Sequence, residues 1–317
     1  MKQGQWVLAL AGGVGGAKLA FGLQHLLRRQ LVVAVNTADD FEHLGLHISP
    51  DLDTVMYTLA GVSNKIQGWG LEGETWSFMD QIGRIGGPSW FKLGDRDLAT
   101  HVLRTQRLAD GASLTSVTRE LCASYGIAAN ILPMTDSLVR TVVGSEDQKI
   151  PFQEYFVRLA CEPVVETIEF YGAKFASVNE ELKRAKPGKP AAIIFCPSNP
   201  YLSIDPILSI PGFRDWLKSL GAPLIAVSPI VSGMAIKGPA AKIMRELGYE
   251  VSALGVAEHY RGLIDGIVID SSDAHLQEEI EKRGVAVRVE NTIMKSDADR
   301  IGLAEKCLAF GSSLAAR

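Results

Sequence analysis

The sequence predicts an α/β fold with a doubly wound, mostly parallel sheet, and three observations lead to this prediction. Short apolar runs alternate with amphipathic stretches in two regions of the chain. One apolar run leads directly into the glycine cluster Gly12–Gly16, as at a strand-to-helix junction. The 317 residues are 47% hydrophobic and 21% charged, which is an ordinary globular balance. We therefore expect a single Rossmann-like domain over residues 1–317, large enough to bury a full core.

The first region reads as one βαβ unit. Residues 6–11 form an apolar run that predicts a buried strand, and Gly12–Gly16 predict a turn. Residues 17–29 place leucines at helical spacing. Residues 31–35 are apolar and include three valines, which predicts a second strand.

The second region begins after a segment rich in Lys and Pro. The predicted strands are 191–196, 224–228, 250–254, 266–270 and 285–289. The predicted helices between them lie near 205–220, 239–248, 256–264 and 273–283. Such repeated strand–helix alternation is typical of a parallel sheet with helices on both faces.

The middle of the chain, residues 61–180, has a different character, with more Gly, Trp and polar residues. We expect helices near 97–108 and 113–125 and strands near 138–144 and 164–171. These predict a mixed α+β insertion subdomain that covers the active-site edge of the sheet.

Composition argues against several classes of partner. Thirty-two Lys and Arg against 36 Asp and Glu give a net charge of −4, whereas nucleic-acid proteins usually present a basic face. The four cysteines form no C-x-x-C pair, which disfavours structural zinc and fits a reducing compartment. No apolar run approaches the ~18 residues of a membrane span. We expect a cytoplasmic protein without nucleic-acid or membrane partners.

The glycine-rich segment Ala11–Lys18 is the first candidate site. Glycines let the backbone approach a phosphate, and the following helix N-terminus offers free N–H groups. The spacing is not that of a Walker A loop, and Lys18 stands where a dinucleotide fingerprint has its third glycine. A tight turn without ligand is the alternative. The candidate phosphate-binding residues are Gly12, Gly13, Gly15, Gly16 and Lys18.

Acidic residues follow the second strand and open the next helix. Asn36–Asp40 lie where a doubly wound sheet presents its carboxyl edge, although Asn and Asp also favour plain turns. Ser49 and Pro50 are typical of a helix start, so the helix dipole alone accounts for Asp51. Asp51 and Asp53 project about 200° apart on a helix, which disfavours joint binding of one ion unless the first turn is frayed. A carboxylate beside a phosphate site would recruit Mg²⁺.

Three further loops carry polar groups. Lys92–Asp97 alternates charges around a glycine and is either an anion-binding loop or a solvated turn. Cys196–Tyr201 and Ser228–Pro239 each follow a predicted strand. Loops that follow parallel strands converge on one crevice, which is where such sheets bind ligands.

Taken together, these segments resemble the 2-phospho-L-lactate transferase (CofD) family. The resemblance runs in the family's order from residue 12 to about 257. Its segments are Gly12–Lys18, Asn36–Asp40, Ile48–Val55, Lys92–Asp97, Gly111–Thr115, Ile131–Met134, Pro197–Pro200 and Gly255–Ala257.

The resemblance implies an enzyme of coenzyme F-420 biosynthesis. Such an enzyme joins the deazaflavin Fo to a phospho-acid delivered as a guanosine diphosphate conjugate, releases GMP and requires Mg²⁺. By this resemblance Asp53 and Lys92, with the adjacent Asp95 and Arg96, would contact Fo, and Asp51 or Asp53 would hold Mg²⁺. The guanosine diphosphate would be bordered by the glycine loop and by Asn36, Thr37, Pro197, Ser198 and Asn199. We expect a homodimer.

Catalysis would require little covalent help, because phosphoryl-group transfer depends on in-line positioning and charge neutralisation. We expect Asp53 or Asp40 to accept the proton of the attacking ribityl hydroxyl, with Lys92 beside it. Val14 stands where the family often has Thr, and Met234 where relatives carry a basic residue. Phospholactate, phosphoenolpyruvate and phosphoglycerate therefore remain open as the donated acid. Alternative readings are a nucleotide-sugar-binding regulatory relative, an NAD-dependent oxidoreductase and a structural module.

Overall fold

The computed structural model describes residues 5–316. Its strands are β1 Val7–Ala11, β2 Leu31–Val35, β3 Phe41–His43, β4 Leu46–Ile48, β5 Asn130–Pro133, β6 Arg140–Ser145, β7 Gln148–Pro151, β8 Thr167–Tyr171, β9 Ala192–Phe195, β10 Leu224–Val227, β11 Ile230–Val231, β12 Met234–Ala235, β13 Gly266–Asp270 and β14 Ala286–Glu290. Its α-helices are α1 Gly13–Leu27, α2 Pro50–Ala60, α3 Ser77–Arg84, α4 Asp97–Ala109, α5 Leu114–Ser124, α6 Glu180–Arg184, α7 Asp205–Leu208, α8 Phe213–Ser219, α9 Ala240–Glu246, α10 Ala253–His259, α11 Gln277–Glu281 and α12 Asp297–Leu314. Five short 3-10 or π-helical turns lie at Arg28–Gln30, Glu154–Arg158, Ala173–Phe175, Pro200–Ile204 and Ser271–Leu276.

The main sheet has seven strands in the order β14-β13-β10-β9-β1-β2-β5, and every pairing is parallel. The predicted α/β class is therefore confirmed. From β1 the chain proceeds outward through β2 to β5, and from β9 outward in the other direction to β14. The strand order thus reverses between β1 and β9, and open α/β sheets bind ligands at such a switch point.

The sheet separates two apolar core layers. Leu8 and Leu10 of β1 pack into one layer, whereas Val7 and Ala9 pack into the other. Successive side chains of a strand point to opposite faces, so a strand covered on both faces has to be apolar throughout. This explains why every residue of β1 and β2 is both apolar and buried.

The glycine cluster corrects one prediction. Helix α1 begins at Gly13, so Gly12–Gly16 do not form a turn that precedes the helix but make up its cap and first turn. A Cβ on Gly15 would lie 2.2 Å from the carbonyl oxygen of Pro197, and one on Gly16 would lie 2.3 Å from the Ser198 hydroxyl. The glycines therefore let α1 pack directly against the loop that follows β9.

Two further predictions in the second half were wrong. Residues 250–254 do not form a strand, because Ser252 caps α10 by accepting a hydrogen bond from the Gly255 N–H at 3.0 Å. The predicted helix over 205–220 is broken into α7 and α8. The break includes Gly212, whose φ of +77° is left-handed.

The segment 61–180, expected to be an insertion, contributes to two sheets. Its β5 pairs with β2 and forms one edge of the main sheet. Its β6, β7 and β8 form a separate antiparallel sheet in the order β7-β6-β8. The two predicted helices are present as α4 and α5. Within residues 5–316 no helix is both long and apolar enough to cross a membrane.

Candidate active site

A cavity of about 610 Å³ opens at the switch point of the sheet. Its polar lining surrounds the N-terminus of α1 and includes Gly12, Gly13, Gly15, Lys18, Asp39, Asp51, Asp53, Lys92, Pro197, Ser198, Asn199 and Lys237. Most of its aromatic lining comes from the 61–180 segment and includes Trp69, Trp90, Phe91, Phe152 and Phe156. The sequence-based expectation that loops from distant parts of the chain meet at this edge is confirmed.

The glycine loop is fixed by two neighbouring loops. The Gly12 N–H donates to the Ser198 hydroxyl at 3.0 Å, and this hydroxyl donates to the Gly12 carbonyl at 2.9 Å. The Gly13 N–H donates to Asp51 Oδ1 at 2.7 Å. Asp51 thus belongs to the first turn of α2 but satisfies the N-terminus of α1, so the dipole of its own helix does not account for it.

Two lysines face this loop without a carboxylate partner among residues 5–316. Lys18 Nζ donates to the Met294 carbonyl at 3.0 Å. Lys237 Nζ lies close to the backbone of Gly68, since a Cβ atom added to that glycine would be only 2.6 Å from Nζ. Burial, and then the positive charges of Arg300 and Lys237, lower the pKa of Lys18. An anion in the cavity would relieve this repulsion, so the pair is suited to binding phosphate.

Asn199 supplies a free donor. Its Oδ1 accepts hydrogen bonds from the backbone N–H groups of Tyr201 at 3.0 Å and Leu202 at 3.2 Å. Its Nδ2 is buried, lies in a residue that lines the cavity, and has no hydrogen-bond partner within the described residues 5–316. Buried donors are nearly always satisfied, so this amide is suited to an acceptor atom of a ligand.

Three buried carboxylates lie near one another beside the glycine loop, and two of them, Asp39 and Asp51, line the cavity. Burial raises the pKa of Asp39 well above its usual value, and the charge of Asp51 raises it further. Burial likewise raises the pKa of Asp51 to about 6. The third carboxylate, Asp40, adds to both shifts. A divalent cation would stabilise these charges, and carboxylates beside a phosphate site are typical Mg²⁺ ligands.

Asp53 lies in a different environment. Arg104, which is buried in α4, donates to both of its carboxylate oxygens. Ligand atoms of Asp53, Asp97 and His101 lie within 4.8 Å of one another, the spacing of a possible metal site. The guanidinium already occupies the cation position there, and it would repel a metal ion. The alternative that Asp51 holds the metal therefore fits the geometry better than Asp53.

Within the Asn36–Asp40 segment, only Asp39 lines the cavity, and Asn36 supports Asp51, which also lines it. Asn36 Nδ2 donates to Asp51 Oδ2 at 3.0 Å and to the Leu202 carbonyl at 3.2 Å. Asp40 Oδ2 accepts a hydrogen bond from the Ser49 hydroxyl at 2.8 Å. Asn36, Thr37 and Asp40 do not line the cavity, so the structure does not bring them to bound ligand directly.

The Lys92–Asp97 loop likewise contains residues that line the cavity and residues that do not. Lys92 is exposed and lines the cavity. Asp95 instead accepts hydrogen bonds at 3.0 Å from the N–H groups of Ser77 and Phe78 and so caps α3. Arg96 donates to the Glu72 carbonyl at 2.5 Å. The structure therefore does not place Asp95 and Arg96 at the cavity, because the 72–78 segment engages both of them.

The aromatic lining is itself packed. Trp90 and His43 meet edge to face with ring centroids 5.1 Å apart, and Phe91 packs against Phe41 at 4.8 Å. Phe152 and Phe156 stack at 5.4 Å. Such a wall is suited to a flat ring system. The sequence shows that the 61–180 segment is rich in Trp, but it predicts no individual role for Asp39, Lys237 or Arg104, because their proximity depends on tertiary packing.

Comparison with known proteins connects this geometry to a family. The family model described as 2-phospho-L-lactate transferase CofD matches residues 7–305. A phosphoenolpyruvate transferase of Streptomyces griseus is 41% identical over 300 residues, which cover 92% of this chain and 94% of that protein. A 2-phospho-L-lactate transferase of Methanosarcina mazei is 38% identical over 300 residues, which cover 94% of this chain and 98% of that protein.

A solved structure shows the same fold. Protein BH3568 from Bacillus halodurans superposes with a TM-score of 0.62 over 97% of this chain and 100% of that one, at 14% identity. The family match over nearly the whole chain agrees with a cavity that combines a glycine-loop helix N-terminus, two lysines and buried carboxylates. The chain therefore belongs to the 2-phospho-L-lactate transferase (CofD) family and is a transferase of that type.

Proposed function

We propose that the enzyme transfers a phospho-acid from its guanosine diphosphate conjugate to the ribityl hydroxyl of the deazaflavin Fo, with release of GMP. This is a step of coenzyme F-420 biosynthesis. The observation that carries the proposal is that a single cavity combines a phosphate-binding loop with an aromatic wall. A regulatory protein that binds only a nucleotide sugar would have no use for the second feature.

The donor's diphosphate would bind at the N-terminus of α1. Lys18 and Lys237 would neutralise its charge, and the Nδ2 donor of Asn199 would satisfy an acceptor of the nucleotide. Ser198 would act through the loop, because its hydroxyl is already shared with both backbone groups of Gly12. The diphosphate would thus meet fixed dipoles and not solvent.

The donor set beside this loop fits Mg²⁺. Asp39 and Asp51 would hold the ion, because both line the cavity and both carry a raised pKa that a cation would reverse. When bound, Mg²⁺ would neutralise charge on the diphosphate oxygens and help align the donor. Asn36 would keep Asp51 oriented through its 3.0 Å hydrogen bond.

The acceptor would lie against the aromatic wall, with Lys92 and Asp53 in contact with it. Its ribityl oxygen forms a bond to the distal phosphorus, and the bond from that phosphorus to the oxygen of GMP breaks. We propose that Asp53 accepts the hydroxyl proton, because Asp53 lines the cavity and Asp40 does not. A carboxylate that receives two bonds from Arg104 retains further lone pairs for this contact.

The test is fluorescence titration with purified Fo, followed by turnover with GDP-linked phosphoenolpyruvate, 2-phospho-L-lactate and phosphoglycerate. We expect saturable Fo binding that weakens in Lys92→Ala, and GMP release with at least one donor. Relatives named for two different acids match at 41% and 38% identity, so the preferred acid is assigned by the ratio of kcat/KM values. Absence of Fo binding by folded protein would favour the nucleotide-sugar-binding alternative.

A further inference from the structure

Arg104 lies behind the cavity wall in a buried ion pair with Asp53, and the proposed reaction so far gives the arginine itself no role. Its side chain is 1% exposed and projects from α4 toward Asp53 of α2. NH1 donates to Asp53 Oδ2 at 3.1 Å, and NH2 donates to Asp53 Oδ1. Because both carboxylate oxygens are engaged by one planar guanidinium, the plane of the Asp53 carboxylate is fixed.

Arg104 is in turn held by its own surroundings. Its NH1 lies 3.3 Å from Nδ1 of His101, one turn earlier on α4. Nε2 of His101 lies 3.3 Å from Asp97 Oδ2, and Asp97 Oδ1 accepts a hydrogen bond from the Tyr57 hydroxyl at 2.6 Å. Since a guanidinium can only donate, Nδ1 of His101 is assigned as the acceptor of the contact with Arg104. A chain of polar contacts therefore runs from Asp53 through Arg104 and His101 to Asp97 and Tyr57.

This chain opens into the cavity along its length. Asp53, His101, Asp97 and Tyr57 all line the cavity, whereas Arg104 lies behind them. A buried ion pair contributes little net stability, because the cost of desolvation offsets the attraction of the charges. What the pair supplies at this place is a carboxylate with a fixed direction in the wall of the acceptor site.

We propose that Arg104 is a positioning residue that aims Asp53 at the acceptor hydroxyl, and that His101 holds Arg104 in place for this task. The inference rests on the proposed function, because it assigns the aimed carboxylate to the deazaflavin side of the cavity. The donor side depends on other groups, Lys18, Asp39, Asp51 and Asn199, none of which hydrogen-bonds to Arg104 within the described residues.

Steady-state kinetics of the full-length enzyme test this separation. Arg104→Lys keeps the charge but loses the planar fork, and Arg104→Gln loses both. We expect the KM for Fo to rise about tenfold or more in Arg104→Gln and less in Arg104→Lys, and kcat to fall in the same order because Asp53 also accepts the proton, while the KM for the GDP-linked donor stays within about twofold. In an Asp53→Asn background, Arg104→Gln should raise the KM for Fo by less than a further factor of about two, because the carboxylate that Arg104 orients is already absent.

Matched controls are Arg107→Lys and Arg107→Gln. Arg107 lies on the same helix, but it is exposed and pairs with Glu120 at 3.2 Å. These variants should behave as wild type. If Arg104→Gln fails to fold, His101→Gln provides the second test, with an expected rise in the KM for Fo and none in the KM for the donor.

Two results would overturn the proposal. One is an unchanged kcat and an unchanged KM for Fo in folded Arg104 or His101 variants, and the other is an equal rise in the KM values of both substrates. Either result, obtained beside an active wild-type enzyme, rejects the positioning role alone. A wild-type enzyme that neither binds nor modifies Fo rejects the proposed function instead.

Discussion

At the scale of single residues, Asp51 combines burial, two hydrogen bonds and a place in the cavity lining. It is buried, it accepts hydrogen bonds from Gly13 and Asn36, and burial still raises its pKa to about 6. For an acid, a folded-state pKa above the unfolded value of 3.8 favours the protonated form. The resulting contribution to stability is fully present below about pH 3.8 and is lost as the pH rises through about 6. At neutral pH the metal-free protein therefore carries an unfavourable buried charge.

The raised pKa of Asp51 leads to a prediction for the pH dependence of Mg²⁺ binding. Metal binding needs the ionised carboxylates, so the Mg²⁺-induced increase in Tm should be small at pH 5 and should grow between pH 5 and pH 7. Thermal unfolding with and without MgCl₂ across this range measures it. Asp39→Asn is the matched variant, because its amide oxygen can still accept from Thr141, which lies 3.0 Å from Asp39 Oδ1. We expect this variant to be slightly more stable than wild type without metal and to show little response to Mg²⁺. A pH-independent response in wild type would contradict the assignment.

Lys18 and Lys237, which have no carboxylate partner among residues 5–316, lead to a second prediction at this scale. A hydrogen bond between a charged donor and a phosphate is worth roughly 1.5–3 kcal/mol, so Lys18→Ala and Lys237→Ala should each raise the Kd for GDP by at least about tenfold. Isothermal titration measures it. Lys65→Ala removes the same charge from an exposed position outside the cavity lining, and it should leave the Kd nearly unchanged. Equal increases of the Kd for GDP in all three variants would indicate that the overall electrostatic field of the protein, and not a specific site, attracts the nucleotide.

Among the elements, α1 connects sequence and function most closely. Its glycines serve close packing as much as ligand approach, because a Cβ on Gly15 would meet the Pro197 carbonyl at 2.2 Å. Gly15→Ala should therefore destabilise the protein by about 1–3 kcal/mol and shift the loop that carries Asn199, which weakens GDP binding as well.

The matched control is the same substitution in an open position. A Cβ on Gly302 of α12 meets nothing within 4 Å among the described atoms, and this glycine has no left-handed φ. Gly302→Ala should stabilise the protein by about 0.5–1 kcal/mol through helix propensity. Chemical denaturation of both variants measures whether each substitution lowers or raises the free energy of unfolding. A stable Gly15→Ala protein with unchanged GDP affinity would show that the contact relaxes at no cost.

The elements also show where sequence patterns succeed. The inner strands β1, β2, β9 and β10 are apolar on both faces, and β13 and β14 are also rich in Val and Ile, so all six strands are recognisable within about one residue. Residues 250–254 also include apolar residues, which predict a strand. Ser252 instead has an extended backbone conformation and caps the N-terminus of α10. Strand β5 was not predicted, because its four residues become a sheet edge only after β2 is in place beside them.

At the scale of the whole molecule, the site is assembled from residues between Gly12 and Met294. The sequence predicts the convergence of the loops after β1, β9 and β10, because these loops follow parallel strands at one edge of the sheet. It does not predict which carboxylates become neighbours. Asp51 and Asp53 point to different environments, as their spacing on a helix requires, but only the docking of α4 shows that Arg104 takes Asp53 and leaves Asp51 beside Asp39.

This assembly gathers like charges on both sides of the cavity, with the lysines around the proposed diphosphate site and the carboxylates around the proposed Mg²⁺ site. Each ligand alone would relieve one set, and both together would also attract each other, so GDP and Mg²⁺ should bind with positive cooperativity. A ligand at 100 times its Kd adds about 2.7 kcal/mol of stability, which corresponds to an increase in Tm of about 5 °C for a chain of this size. We expect the increase in Tm with GDP and Mg²⁺ together to exceed the sum of the separate increases, and Asp39→Asn to remove the excess while retaining the response to GDP. Strictly additive shifts in the wild-type protein would contradict this arrangement, because they would place the nucleotide and the metal too far apart to act on the same phosphate.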